Sequence, residues 1–133
     1  MDDKQLIQLA HQARERAYAL YSNFLVGAAL LTESGKVFLG CNIENASYGV
    51  SNCAERTAFF KAISEGEMKF SKIAIVGGPR GTEANEPCSP CGICRQVMYE
   101  FCDLDAFQIL LEDGNNAITK VSLRELLPLA FGK

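Results

Sequence analysis

Phe24-Leu25-Val26-Gly27-Ala28-Ala29-Leu30-Leu31-Thr32 is followed by Glu33-Ser34-Gly35 and then by a second run from Lys36 to Ile43. The first run is apolar but far too short to cross a bilayer, and it reads as a strand. Turn residues at 33–35 join it to a second strand as a hairpin. Outward from this hairpin, helical and extended patterns alternate. Residues 3–19 carry Leu6, Leu9, Ala10, Ala13 and Ala17 at three- and four-residue steps, the period of an amphipathic helix. After a polar loop at 44–52, residues 53–65 read as a helix that ends near Gly66. Residues 72–76 form a short apolar strand, which Gly77-Gly78-Pro79 ends. A loop over 80–90 and a helix over 91–102 follow. Strands over 107–111 and 118–121 flank Asp113-Gly114-Asn115, and a short helix over 123–127 precedes Pro128. Helices that alternate with strands must cover a sheet. The predicted fold is therefore α/β, a three-layer α-β-α arrangement around a mixed sheet of about five strands. No repeat, low-complexity stretch or linker divides residues 1–133, so one domain is expected.

Hydrophobic residues at 48% and charged residues at 22% are ordinary for a globular chain of 133 residues with one core. Met1-Asp2-Asp3-Lys4 is polar and acidic with no signal-peptide apolar region behind it, so a cytoplasmic location is expected, with no membrane partner. In that compartment, six cysteines point to metal binding or catalysis rather than to disulfides. Asn45-Ala46-Ser47 then carries no meaning as a glycosylation site. A net charge of −3 and an isoelectric point near 5.2 argue against a nucleic-acid partner, which demands a basic stripe. A small uncharged ligand fits better.

Cys53-Ala54-Glu55 and Pro87-Cys88-Ser89-Pro90-Cys91 supply three thiols at metal-ligand spacing, with a carboxylate two residues beyond the first. Three protein ligands leave the fourth position of a tetrahedral zinc open. Cys88 and Cys91 are three apart, a spacing that lets two thiolates grip one ion from a turn, and Pro87 and Pro90 stiffen that turn. Cys53 and Cys91 both fall at predicted helix N-termini, where the dipole and free N–H groups stabilise thiolates. Cys94, one turn deeper, is expected to pack, as are Cys41 and Cys102. The sole histidine, His11, lies beside the apolar stripe of the first helix and reads as an ordinary residue. An all-thiolate zinc site carries a formal charge of −1, which Arg56 can offset by hydrogen bonding to sulfur. The bland alternative is a closed four-cysteine structural site that uses Cys94 or Cys41, in a module that binds a partner protein. It leaves Glu55 without a role.

On these residues the chain resembles the cytidine deaminases of nucleoside salvage, specifically the small homotetrameric type. The likeness includes Tyr21-Ser22-Asn23-Phe24, Val26-Gly27-Ala28-Ala29 and Asn42-Ile43-Glu44-Asn45-Ala46-Ser47-Tyr48. It continues through Cys53-Ala54-Glu55-Arg56, residues 87–96 and Leu126-Leu127-Pro128-Leu129-Ala130-Phe131. Leu20 departs from it, standing where the family has proline. The resemblance implies zinc as cofactor, held by Cys53, Cys88 and Cys91, with Glu55 as the proton carrier. It implies hydrolytic deamination of cytidine and deoxycytidine to uridine and deoxyuridine. Asn42 and Glu44 would hold the ribose hydroxyls, and an amide beside a carboxylate offers the donors and acceptors that a diol needs. Phe24 would pack on the pyrimidine, and the backbone at Ala54 would orient the amino group. Tyr48 and Phe131 would come from neighbouring subunits of a homotetramer with shared sites. An intact ribose motif opposes a nucleoside-antibiotic deaminase, and the acidic charge opposes one that edits polynucleotides.

Overall fold

The structure, a computed structural model, describes residues 1–115 and 117–133. The expected hairpin forms: β1 (Phe24–Thr32) pairs antiparallel with β2 (Val37–Cys41), with Ala29 opposite Leu39. Along its other side β1 pairs antiparallel with β3 (Phe70–Pro79), where Phe24 faces Pro79 and Leu25 faces Gly78. β4 (Gln108–Glu112) joins β3 in parallel, and β5 (Ile118–Ser122) pairs antiparallel with β4. The order β2-β1-β3-β4-β5 is a mixed five-stranded sheet.

The two-residue period of the strands divides the core between two faces. Ala28, Leu30, Ile73, Ile75, Ile109 and Leu111 belong to one buried cluster. There α2 (Ala54–Ser64), α3 (Gly92–Phe101) and α4 (Leu123–Leu126) pack Ala58, Phe59, Met98 and Leu123 against them. Ala29, Leu31, Ala74, Val76 and Leu110 belong to the other, covered by Leu6, Ile7 and Ala10 of α1 (Asp3–Arg14). Adjacent strand residues thus serve opposite layers, which produces the α-β-α sandwich. Each fully buried Leu30 or Phe59 contributes about 1.5–3 kcal/mol of transfer free energy.

Three elements differ from the sequence expectation. α1 stops at Arg14 instead of running to residue 19. Beyond it the Tyr18 N–H donates to the Asn42 carbonyl (2.9 Å), and the Glu44 N–H donates to the Tyr18 carbonyl (2.8 Å), so this segment is drawn into extended pairing. β3 continues through Gly77 and Gly78 to Pro79 because β1 offers it a partner as far as Phe24. The glycines there admit a neighbour: a Cβ on Gly77 would stand 2.6 Å from Cys88 Sγ. A 3-10 turn over Tyr48–Val50 occupies part of the loop expected at 44–52. Among the described residues, no helix is long and apolar enough to cross a membrane.

Candidate active site

The start of β1 and the ends of β2 and β3 lie together at one end of the sheet. Two helices begin beside that end. Cys53 is the N-cap of α2 and Cys91 the N-cap of α3, and neither side chain makes a capping bond. Both sulfurs are therefore free to turn towards each other, and they lie 3.7 Å apart. Cys94 follows one helical turn after Cys91, so both present sulfur on the same face of α3. The Sγ atoms of Cys53, Cys91 and Cys94 all lie within 4.8 Å of one another.

This grouping corrects the expected ligand set. Cys94 takes the place assigned to Cys88, although it is also fully packed against the core. Cys88 precedes the helix, and its sulfur packs where a Gly77 side chain would stand, near Phe24 and Val26. Burial pushes the Cys88 thiol up to about 12. Cys94 is raised as well, by its bond to Cys53 first, so distance and not proton affinity sets Cys88 apart from the trio. Cys102 is likewise pushed up to about 12 by burial, and burial also raises Cys41. His11 Nε2 donates to Glu112 Oε1 at 2.7 Å, and His11 takes no part in the site.

The trio fits zinc on geometry and chemistry. Two thiolates at about 2.3 Å from a tetrahedral ion sit about 3.8 Å apart, which the Cys53–Cys91 separation of 3.7 Å already meets. Three soft thiolates in place of carboxylates favour zinc over hard cations. Cys53 is drawn down to about 5, first by a hydrogen bond from Cys94 and further by Arg56. Arg56 Nη2 donates to Cys53 Sγ at 3.3 Å, while its buried Nε has no protein partner. Glu55, in the first turn of α2, is only 4% exposed. Burial pushes its carboxyl up to about 7, and the neighbouring Cys53 thiolate adds to the rise.

These groups open into a cleft of about 560 Å³ whose lining includes Phe24, Asn42, Glu44, Tyr48, Ala54 and Glu55. Asn42 Oδ1 accepts from the Val26 N–H (2.8 Å), and its Nδ2 donates to the Phe24 carbonyl (2.8 Å), which fixes the side chain against the start of β1. Glu44 accepts from the Tyr21 and Ser22 N–H groups, each at 3.0 Å, and from the Ser22 hydroxyl. The Ser22 bonds hold its carboxyl below the usual range. Phe131 does not line the cleft of its own chain: it is 86% exposed, and its carbonyl is held by Gln96 Nε2 at 2.8 Å. Sequence reasoning passed over Ser22, whose hydroxyl also accepts from the Phe24 N–H (3.0 Å) and so ties Glu44 to Phe24. It also passed over Arg95, which fastens the turn before Cys91 through the Pro90 carbonyl and the Ser89 hydroxyl. No metal-ligand or motif spacing points to either: Ser22 acts on the Glu44 side chain, and Arg95 braces a nearby turn and the distant Leu126 carbonyl.

Known proteins resemble this chain in sequence and fold. The family model for the cytidine and deoxycytidylate deaminase zinc-binding region matches residues 1–110. A cytidine deaminase of Sporosarcina psychrophila is 48% identical over 133 residues, covering 100% of this chain and 93% of that protein. One of Halalkalibacterium halodurans is 51% identical over 131 residues, covering 98% of this chain and 95% of that protein. The crystal structure of the cytidine deaminase from Burkholderia pseudomallei aligns with a TM-score of 0.88 and 49% identity, over 98% of this chain and 100% of that one. With a cysteine trio at two helix starts and a buried carboxyl beside it, the chain belongs to the zinc-dependent cytidine deaminase family.

Proposed function

We propose that the chain deaminates cytidine and deoxycytidine hydrolytically, yielding uridine or deoxyuridine and ammonia, as a step of pyrimidine salvage. Glu55 carries this reading: a carboxyl 4% exposed, poised near neutrality, beside a soft-metal trio and facing a cleft large enough for a nucleoside. Cys53, Cys91 and Cys94 would hold zinc, which would supply Lewis acidity and lower the proton affinity of a water near neutral pH. Glu55 accepts the proton that this water gives up and passes it to N3 of cytosine, which makes C4 electrophilic. The water oxygen bonds to C4, and Glu55 takes the remaining proton from that hydroxyl and delivers it to the amine as the C4–N bond breaks. One water enters and one ammonia leaves, so the carboxylate is regenerated. Arg56 offsets the negative charge of three thiolates through its bond to Cys53.

Phe24 offers an apolar wall to the base, and the buried start of α2 at Ala54 places backbone beside the exocyclic amine. Asn42 retains one Nδ2 hydrogen, and Glu44 retains lone pairs beyond its contacts with residues 21 and 22, which a ribose diol can use. Tyr48, 73% exposed, and Phe131, 86% exposed, support a homotetramer in which neighbours complete each site. Six free cysteines support a cytoplasmic place for residues 1–133 acting as one domain.

Incubation of the zinc-loaded chain with cytidine, followed through the loss of its ultraviolet absorbance, tests the reading directly. Turnover is expected for cytidine and deoxycytidine, with weaker affinity for free cytosine. No change in absorbance from protein that carries one zinc per chain rejects it, and equal affinity for cytidine and cytosine rejects the roles given to Asn42 and Glu44.

A further inference from the structure

We propose that Arg14, the last residue of α1, is a positioning residue that sets the shape of the nucleoside cleft, an assignment that rests on the deaminase reading above. Its side chain turns into the molecule and is 6% exposed. Among the described residues no carboxylate pairs with it. The guanidinium instead donates to four backbone carbonyls: Nε to Leu25 (3.0 Å), Nη1 to Thr82 (3.1 Å), and Nη2 to Gly78 (2.9 Å) and Pro79 (2.8 Å). A buried guanidinium without a counter-charge persists where its N–H groups are bonded, and here four of the five are. An apolar residue would close a helix end against a sheet with less desolvation, so the arginine marks carbonyls that need holding.

Those carbonyls converge on the cleft. Leu25 faces Gly78 and Phe24 faces Pro79 across the β1–β3 ladder, at the point where Phe24 enters the cleft lining. Thr82 lies in the first turn of the segment at 80–90, which leads to Ser89 and Cys91, also cleft residues. Asn42 grips the same stretch of β1 through residues 24 and 26, while Arg14 takes residue 25 between them. Arg80 adds a second tie, with its N–H on the Asn23 carbonyl (2.9 Å) and its Nε on Asn23 Oδ1 (3.0 Å). The planar fork of Arg14 thus fastens β1, β3 and the following loop to one point, which the compact ammonium of lysine cannot do. Freed of it, the wall that carries Phe24 and the loop before Cys91 shift together. Displacements of about 1 Å at such a site cost rate or affinity heavily.

The test compares the zinc-loaded parent with Arg14→Met, Arg14→Lys and a core variant remote from the cleft, Leu110→Ala. All are assayed well below their unfolding midpoints. Zinc per chain, kcat and KM for cytidine, and Kd for uridine are measured, the last being independent of turnover. Arg14→Met is expected to keep one zinc and to raise both KM and Kd by about tenfold or more. Arg14→Lys should recover part of that loss, and Leu110→Ala should lower the unfolding midpoint with KM and Kd unchanged. Millimolar guanidinium should restore uridine affinity to an Arg14→Ala chain. Arg14→Met behaving like Leu110→Ala overturns the assignment, and so does failure of every Arg14 variant to fold, because the residue then serves the fold alone. A parent that leaves cytidine untouched sinks the deaminase reading instead.

Discussion

Cys53 and Glu55 stand two residues apart at one helix start, yet their proton affinities move in opposite directions. Cys53 faces hydrogen-bond donors, from Cys94 first and then Arg56, and falls to about 5, so it stands ready as a thiolate. Glu55 faces apolar burial and rises to about 7, so it holds and releases a proton near neutral pH. The raised carboxyl has a consequence for the metal-free chain. Between the ordinary 4.5 and about 7 the folded chain keeps a proton on Glu55 that the unfolded chain has lost. The Glu55 contribution to stability therefore falls as pH rises through that window, by about 3 kcal/mol in all, while the lowered Cys53 thiol contributes in the opposite sense above about 5. Glu55→Gln removes this dependence. In urea unfolding of chelator-treated protein, the variant should match the parent near pH 4 and exceed it by about 3 kcal/mol above pH 7. Parallel pH profiles for the two proteins would show that Glu55 ionises normally. The same substitution should leave zinc binding intact and abolish nearly all turnover in the cytidine assay.

At the scale of elements, the register of α3 decides which cysteines meet. Residues 88, 91 and 94 form two overlapping Cys-x-x-Cys pairs. Spacing alone does not choose between them. The choice follows from Cys91 being the N-cap: residues before it leave the helix, while Cys94 returns to the same face one turn later. Cys94→Ala is therefore expected to lose zinc from the purified chain, and Cys88→Ala to retain one zinc per chain. Metal analysis after dialysis against a weak chelator checks this, and the reverse result would restore Cys88 as a ligand. The order of elements, the hairpin, the mixed sheet and both helix starts at Cys53 and Cys91 were legible because apolar periodicity and glycine placement are local signals. The end of α1 and the extra length of β3 were not legible. Each is settled by a partner far along the chain, Asn42 for Tyr18 and Phe24 for Pro79.

For the whole molecule, Tyr48 lines the cleft yet is 73% exposed, and Phe131, 86% exposed, is not part of its own chain's cleft lining. Leu129, fully exposed, adjoins Phe131 on a tail anchored by the Gln96 bond and by Gly132 against the Tyr99 ring. A tail held at its backbone but bare in its side chains is arranged to meet another surface. Light scattering should give a particle of four 14.5 kDa chains, and Phe131→Ala should raise KM for cytidine by about tenfold, the scale of one lost aromatic stack. Subunit mixing then tests whether sites are shared. Glu55→Gln chains have almost no turnover but carry Phe131, whereas Phe131→Ala chains carry Glu55 and bind weakly. Co-refolded at equal amounts, the two should form sites with Glu55 from one chain and Phe131 from its neighbour, and part of the activity should recover the parental KM. A mixture whose KM equals that of Phe131→Ala alone means that Phe131 serves only its own chain. A particle of one chain mass with full activity removes the neighbour from the site altogether.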